Sequence, residues 1–309
     1  MRIISLCTAI ILGLLPLDVS LARDEVKTLN EFLCESGKDM LACYKAGIQY
    51  GTGKGVAQDH HHARQLHLMA CRADIAIGCL QVGTSYAIGF VGSENRTRAA
   101  LFYIKGCKGG NAIACHQAGT LYERGDGVAK DLKRAAILFQ SACDDYIGMS
   151  CDKAGDIYAD GEGVKRDLAL AARLFLDGCE FGDAKACFKA GNLLDRGDGV
   201  GKDPARAVGL YLSACEQKHA ESCYNVGDRY AWGLGISRDP VRALDFYLQA
   251  CRKQFPAGCF MAAEQYFAGD GIAKNAVAKD MAKARKYYRK ACKWKIIPAC
   301  DQLRIIGDI

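Results

Sequence analysis

The stretch CHQAGTLYERGDGVAKDLKRAAILFQSAC, residues 115–143, decides the fold, because most of the chain consists of variants of it. In its first half, Cys115, Gly119 and Tyr122 share one face of a helix. A Gly-x-Gly turn follows, and then Asp131, the expected N-cap of a second helix that runs to the next cysteine. The stretch therefore predicts two helices, A and B, joined by a glycine turn.

The same pattern recurs along the chain. From Cys71 to Cys251 the first cysteine of each unit steps by 36 residues, a period typical of helical repeat arrays. Segments 24–35 and 298–305 match a lone helix B and a lone helix A, as expected for the caps of a solenoid. The second repeat lacks the Gly-x-Gly-Val turn, and the seventh repeat has five extra residues before Asp280. We therefore predict an all-α solenoid of about seven helix-turn-helix repeats with half-repeats at both ends.

The 17 cysteines form eight couples, with Cys7 left over. Two cysteines eight residues apart on one helix would lie ~12 Å apart, whereas a disulfide needs Cα atoms within about 7 Å. Each couple must therefore straddle the turn between a helix B and the next helix A. The alternative pairing within one repeat, Cys43 with Cys71, would leave Cys34 and Cys300 without partners, so we favour pairing across the turns. The predicted couples are Cys34–Cys43, Cys71–Cys79, Cys107–Cys115, Cys143–Cys151, Cys179–Cys187, Cys215–Cys223, Cys251–Cys259 and Cys292–Cys300.

Residues 1–22 have the pattern of a secretory signal peptide. Arg2 precedes an apolar run of about 15 residues, and small residues precede the charged sequence that follows. Cleavage after Ala22 would remove Cys7 and leave an even number of cysteines, so the compartment is expected to be oxidising, either secreted or periplasmic. An uncleaved N-terminal anchor is the alternative. We expect residues 23–309 to form one disulfide-stapled solenoid, with no stable membrane insertion after removal of the signal.

Composition and charge argue against several function classes. The chain of 309 residues is 50% hydrophobic and 25% charged, and its net charge of +6 is spread without a basic block, so we expect no nucleic acid partner. The cysteine spacing differs from that of zinc sites, whose couples lie two to four residues apart. Histidines cluster at His60, His61 and His62, with His67 at a core position, and metal capture there is a minor alternative. We expect no metal and no cofactor, since dinucleotide and phosphate-loop patterns are missing.

One short motif raises the question of catalysis. Ser150 and Lys153 form a Ser-x-x-Lys element, as in serine β-lactamases. The Ser-Asp-Asn and Lys-Thr-Gly elements do not accompany it, and Ser150 occupies the small-residue position that precedes every helix A. We therefore regard Ser150 and Lys153 as weak catalytic candidates and do not favour an enzyme.

The repeat pattern resembles a known family. Gly-x-Gly-Val-x-x-Asp-x-x-x-Ala-x-x-(Phe/Tyr), with Ala-Gly-x-x-Tyr upstream, resembles the Sel1-like repeat, a relative of the tetratricopeptide repeat. With its cysteine couples, the segment 24–305 resembles the Helicobacter cysteine-rich protein family. The resemblance implies a right-handed α/α superhelical solenoid with bridged turns in a secreted or periplasmic protein. It also implies three activities to test, which are penicillin binding, weak β-lactam hydrolysis and modulation of host cells.

The face of helix A opposite its core is the candidate binding surface. In tetratricopeptide-like solenoids this face lines the concave groove, and here its later repeats carry polar, acidic and aromatic residues in register. The candidate residues are Asp152, Asp156, Asn192, Tyr224, Asp228, Trp232 and Glu264. We predict a monomeric scaffold that binds proteins, peptides or peptidoglycan-type cell-wall fragments there. The alternatives are a solvated face without a ligand and a β-lactam-binding protein or weak β-lactamase.

Overall fold

A computed structural model of the chain describes residues 27–269 and 277–308. The predicted signal peptide and part of the predicted insertion before Asp280 lie outside the described residues. Within them, the regular secondary structure consists of α-helices that follow the repeat order, and none of these residues forms a strand. The prediction of an all-α repeat solenoid is therefore confirmed.

The helices belong to two compact units, divided after Gly109. In the first unit, α1 is the lone helix B, and the helices after it alternate between A and B. These helices are α1 (Leu29–Glu35), α2 (Met40–Thr52), α3 (His60–Arg72), α4 (Ala76–Ile88) and α5 (Arg96–Lys108).

The second unit continues the alternation and closes with a lone helix A. Its helices are α6 (Ala112–Arg124), α7 (Leu132–Asp144), α8 (Gly148–Asp160), α9 (Leu168–Glu180), α10 (Ala184–Arg196), α11 (Pro204–Glu216), α12 (Ala220–Trp232), α13 (Pro240–Arg252), α14 (Pro256–Ala268), α15 (Met281–Lys293) and α16 (Ile297–Ile305).

The predicted caps explain where helices begin and end. At the start of α7, the Asp131 carboxylate accepts a hydrogen bond from the amide of Arg134 at 2.9 Å, which pairs one of the free N–H groups of the first turn. At the end of α6, Gly125 adopts a left-handed φ of 72°, and its amide donates to the carbonyl of Leu121. The same two devices recur in the other repeats, so the local sequence sets the length of each helix.

In six of the seven repeats, an aromatic ring of helix B packs on the mid-helix glycine of helix A. A Cβ atom at Gly119 would lie 2.8 Å from the ring of Phe139, which is fully buried. Glycine is therefore the residue that permits this approach, as its recurrence in the sequence predicts. The corresponding pairs are Gly47 with His67, Gly83 with Tyr103, Gly155 with Phe175, Gly191 with Tyr211 and Gly227 with Tyr247.

Disulfides across the turns join the end of a helix B to the start of the next helix A. In seven of the eight predicted couples the sulfur atoms are bonded, and the Cα atoms lie 4.4 to 4.8 Å apart. Cys43 is bonded to Cys34 and Cys71 to Cys79, so the alternative pairing of Cys43 with Cys71 within one repeat does not occur. Cys107 lies in the first compact unit and Cys115 in the second, and their pairing stays a prediction.

We predict that Gly119→Ala destabilises the protein by about 1–3 kcal/mol, because the added methyl group must displace the buried Phe139 ring. Helix propensity alone would give the opposite sign, a gain of about 1 kcal/mol. Gly209 in α11 is the matched control, since a Cβ there would meet no atom within 4 Å. Denaturant midpoints measure both variants, and stabilisation of both would show that the ring-on-glycine contact does not limit packing.

Candidate functional site

The candidate binding residues lie on four A helices of the second unit. We call the side of α8, α10, α12 and α14 that carries them the A face. The helices α8 and α10 contact each other directly, so positions that are 36 residues apart become neighbours across repeats. The A face is composed of Asp152, Asp156, Asn192, Tyr224, Asp228, Trp232 and Glu264.

In four repeats, the residue five positions after the cysteine of helix A is hydrogen-bonded to a tyrosine in helix B of the same repeat. The Tyr247 hydroxyl donates to the Asp228 carboxylate at 2.7 Å, and the Tyr211 hydroxyl donates to the side-chain oxygen of Asn192 at 2.8 Å. The same bond joins Tyr288 to Glu264 at 2.6 Å, and Tyr103 to Thr84 at 3.3 Å in the first unit. On the A face, Asn192, Asp228 and Glu264 are thus acceptors for buried tyrosine hydroxyls.

Repeats whose helix B carries phenylalanine lack this bond. Opposite Phe139, the hydroxyl of Thr120 donates instead to the carbonyl of His116 in its own helix. Opposite Phe175, Asp156 is bonded to a lysine, as described below. This relation was not predicted from the sequence. Its signal was nevertheless present, since tyrosine in helix B occurs together with a hydrogen-bond acceptor in helix A of the same repeat.

Lys189 joins α10 to α8 through two carboxylates. Its ammonium group lies 2.6 Å from the Asp152 carboxylate and 2.7 Å from that of Asp156. Asp152 was expected on an open face, but it is 6% exposed, and its role in contacting a ligand stays a prediction. Burial raises the pKa of Asp152, although the bond from Lys189 opposes this shift. Burial alone would lower the pKa of Lys189, but its bonds to the two carboxylates raise it overall.

Two further ion pairs link neighbouring A helices. Lys153 in α8 lies 2.9 Å from Glu123 in α6, and Arg229 in α12 lies 2.9 Å from Asp195 in α10. Together with the Lys189 bridge, these pairs neutralise several carboxylates between α6 and α12. Much of the charge that the sequence places on the A helices therefore stabilises contacts between repeats.

Asp228 and Glu264 differ from these carboxylates, because neither forms a salt bridge among the described residues, although the positive charge of Arg229 acts on Asp228 from nearby. Burial raises the pKa of Asp228, although hydrogen bonds from Tyr247 and Tyr224 favour its charged form. Trp232 lies one helical turn after Asp228 and is 68% exposed. We call Tyr224, Asp228, Trp232 and Glu264 the Trp232 patch.

The weak catalytic pair is engaged in structural contacts. Ser150 is fully buried, and its hydroxyl lies 2.8 Å from Nδ1 of His116. Lys153 is paired with Glu123 and not with the serine. Ser222, at the equivalent position two repeats later, is also buried, and its hydroxyl lies 2.8 Å from Nδ1 of His219, the N-cap of its own helix. The geometry gives no support to the β-lactamase alternative, since a substrate cannot reach this serine in the structure.

The histidine cluster is spread over separate contacts. His62 Nε2 lies 2.7 Å from the buried Glu31 carboxylate, and the ring of His60 stacks on Phe90. Within residues 27–269 and 277–308, no group of three or more His, Cys, Asp or Glu side chains is arranged to hold a metal ion. In the same part of the chain, no helix is both long enough and apolar enough to cross a membrane.

We predict that Lys189→Met lowers the free energy of unfolding by about 2–3 kcal/mol at neutral pH, because it leaves the buried Asp152 charge without a partner. The loss should shrink as the pH falls, since protonation of Asp152 removes the unpaired charge. Lys185→Met, an exposed change in the same helix, is the control. Equal denaturation midpoints for the two variants across pH would contradict the role of the bridge.

Comparison with known proteins shows the family. The Sel1 repeat profile matches seven segments, at residues 41–75, 76–111, 112–145, 149–180, 184–219, 220–255 and 256–293. A comparison with curated protein sequences finds no significant match.

Solved structures share the fold. The chain is similar to c5321, a protective antigen of uropathogenic Escherichia coli strains, with a TM-score of 0.81 and 24% identity over 88% of this chain and 57% of that one. It is also similar to a Sel1 repeat protein of Oxalobacter formigenes, with a TM-score of 0.60 and 24% identity over 81% and 96% of the two chains. Helicobacter pylori cysteine rich protein B matches 43% of this chain and 95% of its own at 23% identity and a TM-score of 0.36. On the seven matched segments, the chain belongs to the Sel1 repeat family.

Proposed function

We propose that this protein is an extracytoplasmic scaffold whose Trp232 patch binds basic segments of partner proteins. Sel1 repeat proteins are scaffolds that commonly serve as protein-interaction modules. One observation supports the proposal for this chain, which is that neither Asp228 nor Glu264 forms a salt bridge within the described part of the chain, while carboxylates of preceding repeats do.

Charge complementarity selects the kind of partner. A half-buried carboxylate interacts more strongly with a cation than an exposed one does, since less water screens the pair. The exposed indole of Trp232 can accept a cationic side chain over its face, a contact worth about 0.5–1 kcal/mol at exposed sites. A lysine or arginine side chain from a partner therefore suits the patch better than an acidic or apolar side chain.

The tyrosine bonds hold the carboxylates in place before a partner arrives. Tyr247 is fully buried, so the hydroxyl that donates to Asp228 is fixed by the core. Tyr288 is fixed in the same way and donates to Glu264. The fixed orientation of each carboxylate lowers the entropy lost on binding.

The disulfides and the N-terminal sequence support the proposed location. Disulfides persist in oxidising compartments, and seven bridged turns in one chain fit the periplasm or the extracellular space. The signal-peptide pattern of residues 1–22 independently favours export. A partner protein or peptide would then meet the Trp232 patch outside the cytoplasm.

We predict that a hexa-arginine peptide binds the oxidised protein and that Asp228→Asn or Trp232→Ala weakens this binding about tenfold or more, as expected for a hot-spot residue. Binding should also weaken as the pH falls, because the raised pKa of Asp228 brings its protonation above the ordinary range for aspartate. Calorimetric titration at moderate ionic strength measures both effects.

The matched control is Asp245→Asn, which removes one charge from an exposed site on α13, a B helix. It should leave the affinity unchanged. Equal weakening by Asp245→Asn and Asp228→Asn would mean that net charge alone attracts the peptide. Binding of soluble peptidoglycan fragments without binding of the peptide would overturn the proposal in favour of a cell-wall ligand.

A further inference from the structure

The last two helices and the residues beside them carry the whole net charge of the chain. Residues 279–308 contain nine lysines and arginines against three aspartates, a net charge of +6, which equals that of all 309 residues. From Met281 to Cys300 there are seven basic residues and no acidic one. The expectation that the charge is spread without a basic block is therefore wrong, because the rest of the chain is neutral in sum.

The basic residues of α15 lie on the side of the helix that faces away from the core. Ala284, Tyr288 and Ala291 are fully buried and define the inner side. At 3.6 residues per turn, the six cations of this helix occupy an arc of about 160° opposite that side. With Lys295 in the turn that follows, we call them the α15 cationic face, which is composed of Lys283, Arg285, Lys286, Arg289, Lys290, Lys293 and Lys295.

Most of these cations have no acidic partner within the described residues. Of the seven, only Arg289 and Lys283 form ion pairs there, with Asp308 and Asp280 respectively. The other five form no salt bridge in the described part of the chain, although two of them donate to backbone carbonyls. Seven cations within 13 residues repel one another, so a surface of opposite charge would stabilise this arrangement.

Apolar and aromatic side chains lie beside the cations at the turn between α15 and α16. Ile297, the first residue of α16, is 70% exposed and follows Lys295 by two residues. The A helices from α4 to α14 begin with alanine, glycine or proline, so the repeat does not require a large side chain here. Trp294 is half-buried, and the ammonium group of Lys290 lies 5.4 Å from the centroid of its ring. A disulfide closes this turn and restrains its backbone.

This combination favours a membrane surface over a soluble polyanion. Clustered lysines and arginines are attracted to anionic lipid headgroups. Tryptophan prefers the interface between headgroups and acyl chains, and an exposed isoleucine gains stability when it leaves water for that region. A soluble polyanion would satisfy the cations but would offer nothing to Ile297. A helix that is basic on its outer side, with apolar residues next to it, is typical of proteins that lie on a bilayer.

A second copy of the chain fits these helices less well. The lone helix B, α1, of one copy could in principle complete a repeat with the lone helix A, α16, of another. Arg304, however, occupies the position in α16 at which other A helices carry the glycine that accepts the ring of helix B. Arg289 likewise occupies the position of a leucine that packs against the core in earlier B helices, namely Leu176, Leu212 and Leu248. Charge therefore stands at both positions where a further repeat would need a small or apolar residue.

We propose that the α15 cationic face, together with Trp294 and Ile297, docks the protein on an anionic phospholipid bilayer. The lysines and arginines would contact the lipid phosphates, and Ile297 would enter the boundary between headgroups and acyl chains. This surface is distinct from the Trp232 patch, and the proposal does not rest on peptide binding there.

Co-sedimentation of the oxidised protein, recovered after export, with lipid vesicles tests the proposal. Vesicles of phosphatidylcholine with about 30% phosphatidylglycerol should bind the protein at least about tenfold more tightly than vesicles of phosphatidylcholine alone. Added salt should reduce the difference, because it screens the charges. The combined changes Lys286→Gln, Lys293→Gln and Lys295→Gln should weaken binding to the anionic vesicles by at least about tenfold.

The matched control combines Lys133→Gln, Lys165→Gln and Lys218→Gln, which remove the same charge from exposed sites on other helices and turns of the second unit. Lys218 also matches Lys295 in backbone conformation, since both have a left-handed φ. This control should bind the anionic vesicles as tightly as the unmodified protein does. Equal weakening of binding by both combinations would show that net charge alone attracts the protein, and it would overturn the proposal.

Ile297→Ala separates a bilayer from a soluble polyanion. Alanine is the residue that α10 and α12 carry at this position, so the variant should fold. It should weaken vesicle binding at least about threefold and leave binding to heparin, a soluble polyanion, unchanged. Absence of binding to the anionic vesicles would overturn the proposal. Undiminished vesicle binding by the folded Ile297→Ala variant would also overturn it, in favour of a soluble polyanion as the ligand.

Discussion

The structure depends on the contact between an aromatic ring of helix B and a glycine of helix A. This contact sets how closely the two helices of a repeat approach, and it also places the far end of the ring. Because Gly227 and Asp228 are adjacent in sequence, the ring that packs on the glycine points its hydroxyl at the neighbouring carboxylate. The same geometry holds for Gly191 and Asn192, so core packing and the chemistry of the A face have one cause.

The A face uses most of its polar residues to hold repeats together. Between α6 and α12, lysine and arginine side chains bridge carboxylates of successive A helices, and the Lys189 bridge buries one of them. From Asp228 in α12 onward the pattern changes, because Asp228 and Glu264 keep their tyrosine bonds but form no salt bridge with any described residue. We therefore expect a binding function beside the exposed Trp232, where the carboxylates of the A face do not take part in salt bridges between repeats.

Local patterns in the sequence could predict the repeat, the caps, the bridged turns and the reason for the mid-helix glycine. They could not predict the burial of Asp152, because periodicity assigns a residue to a face, whereas burial depends on a partner 37 residues away, Lys189. The tyrosine–acceptor relation was visible in the sequence but needed the structure to give it a physical meaning.

We propose that the A face binds a basic partner at one place, the Trp232 patch, whose carboxylates form no salt bridge with the described residues. The chain has two tryptophans, exposed Trp232 on the patch and half-buried Trp294 away from it, and their indole N–H resonances report on each site separately. The most direct measurement is an NMR titration of these two resonances with an arginine-rich peptide. If the Trp232 patch binds the peptide, the Trp232 resonance shifts saturably while the Trp294 resonance does not move. Movement of Trp294 alone, or of neither resonance, would contradict it.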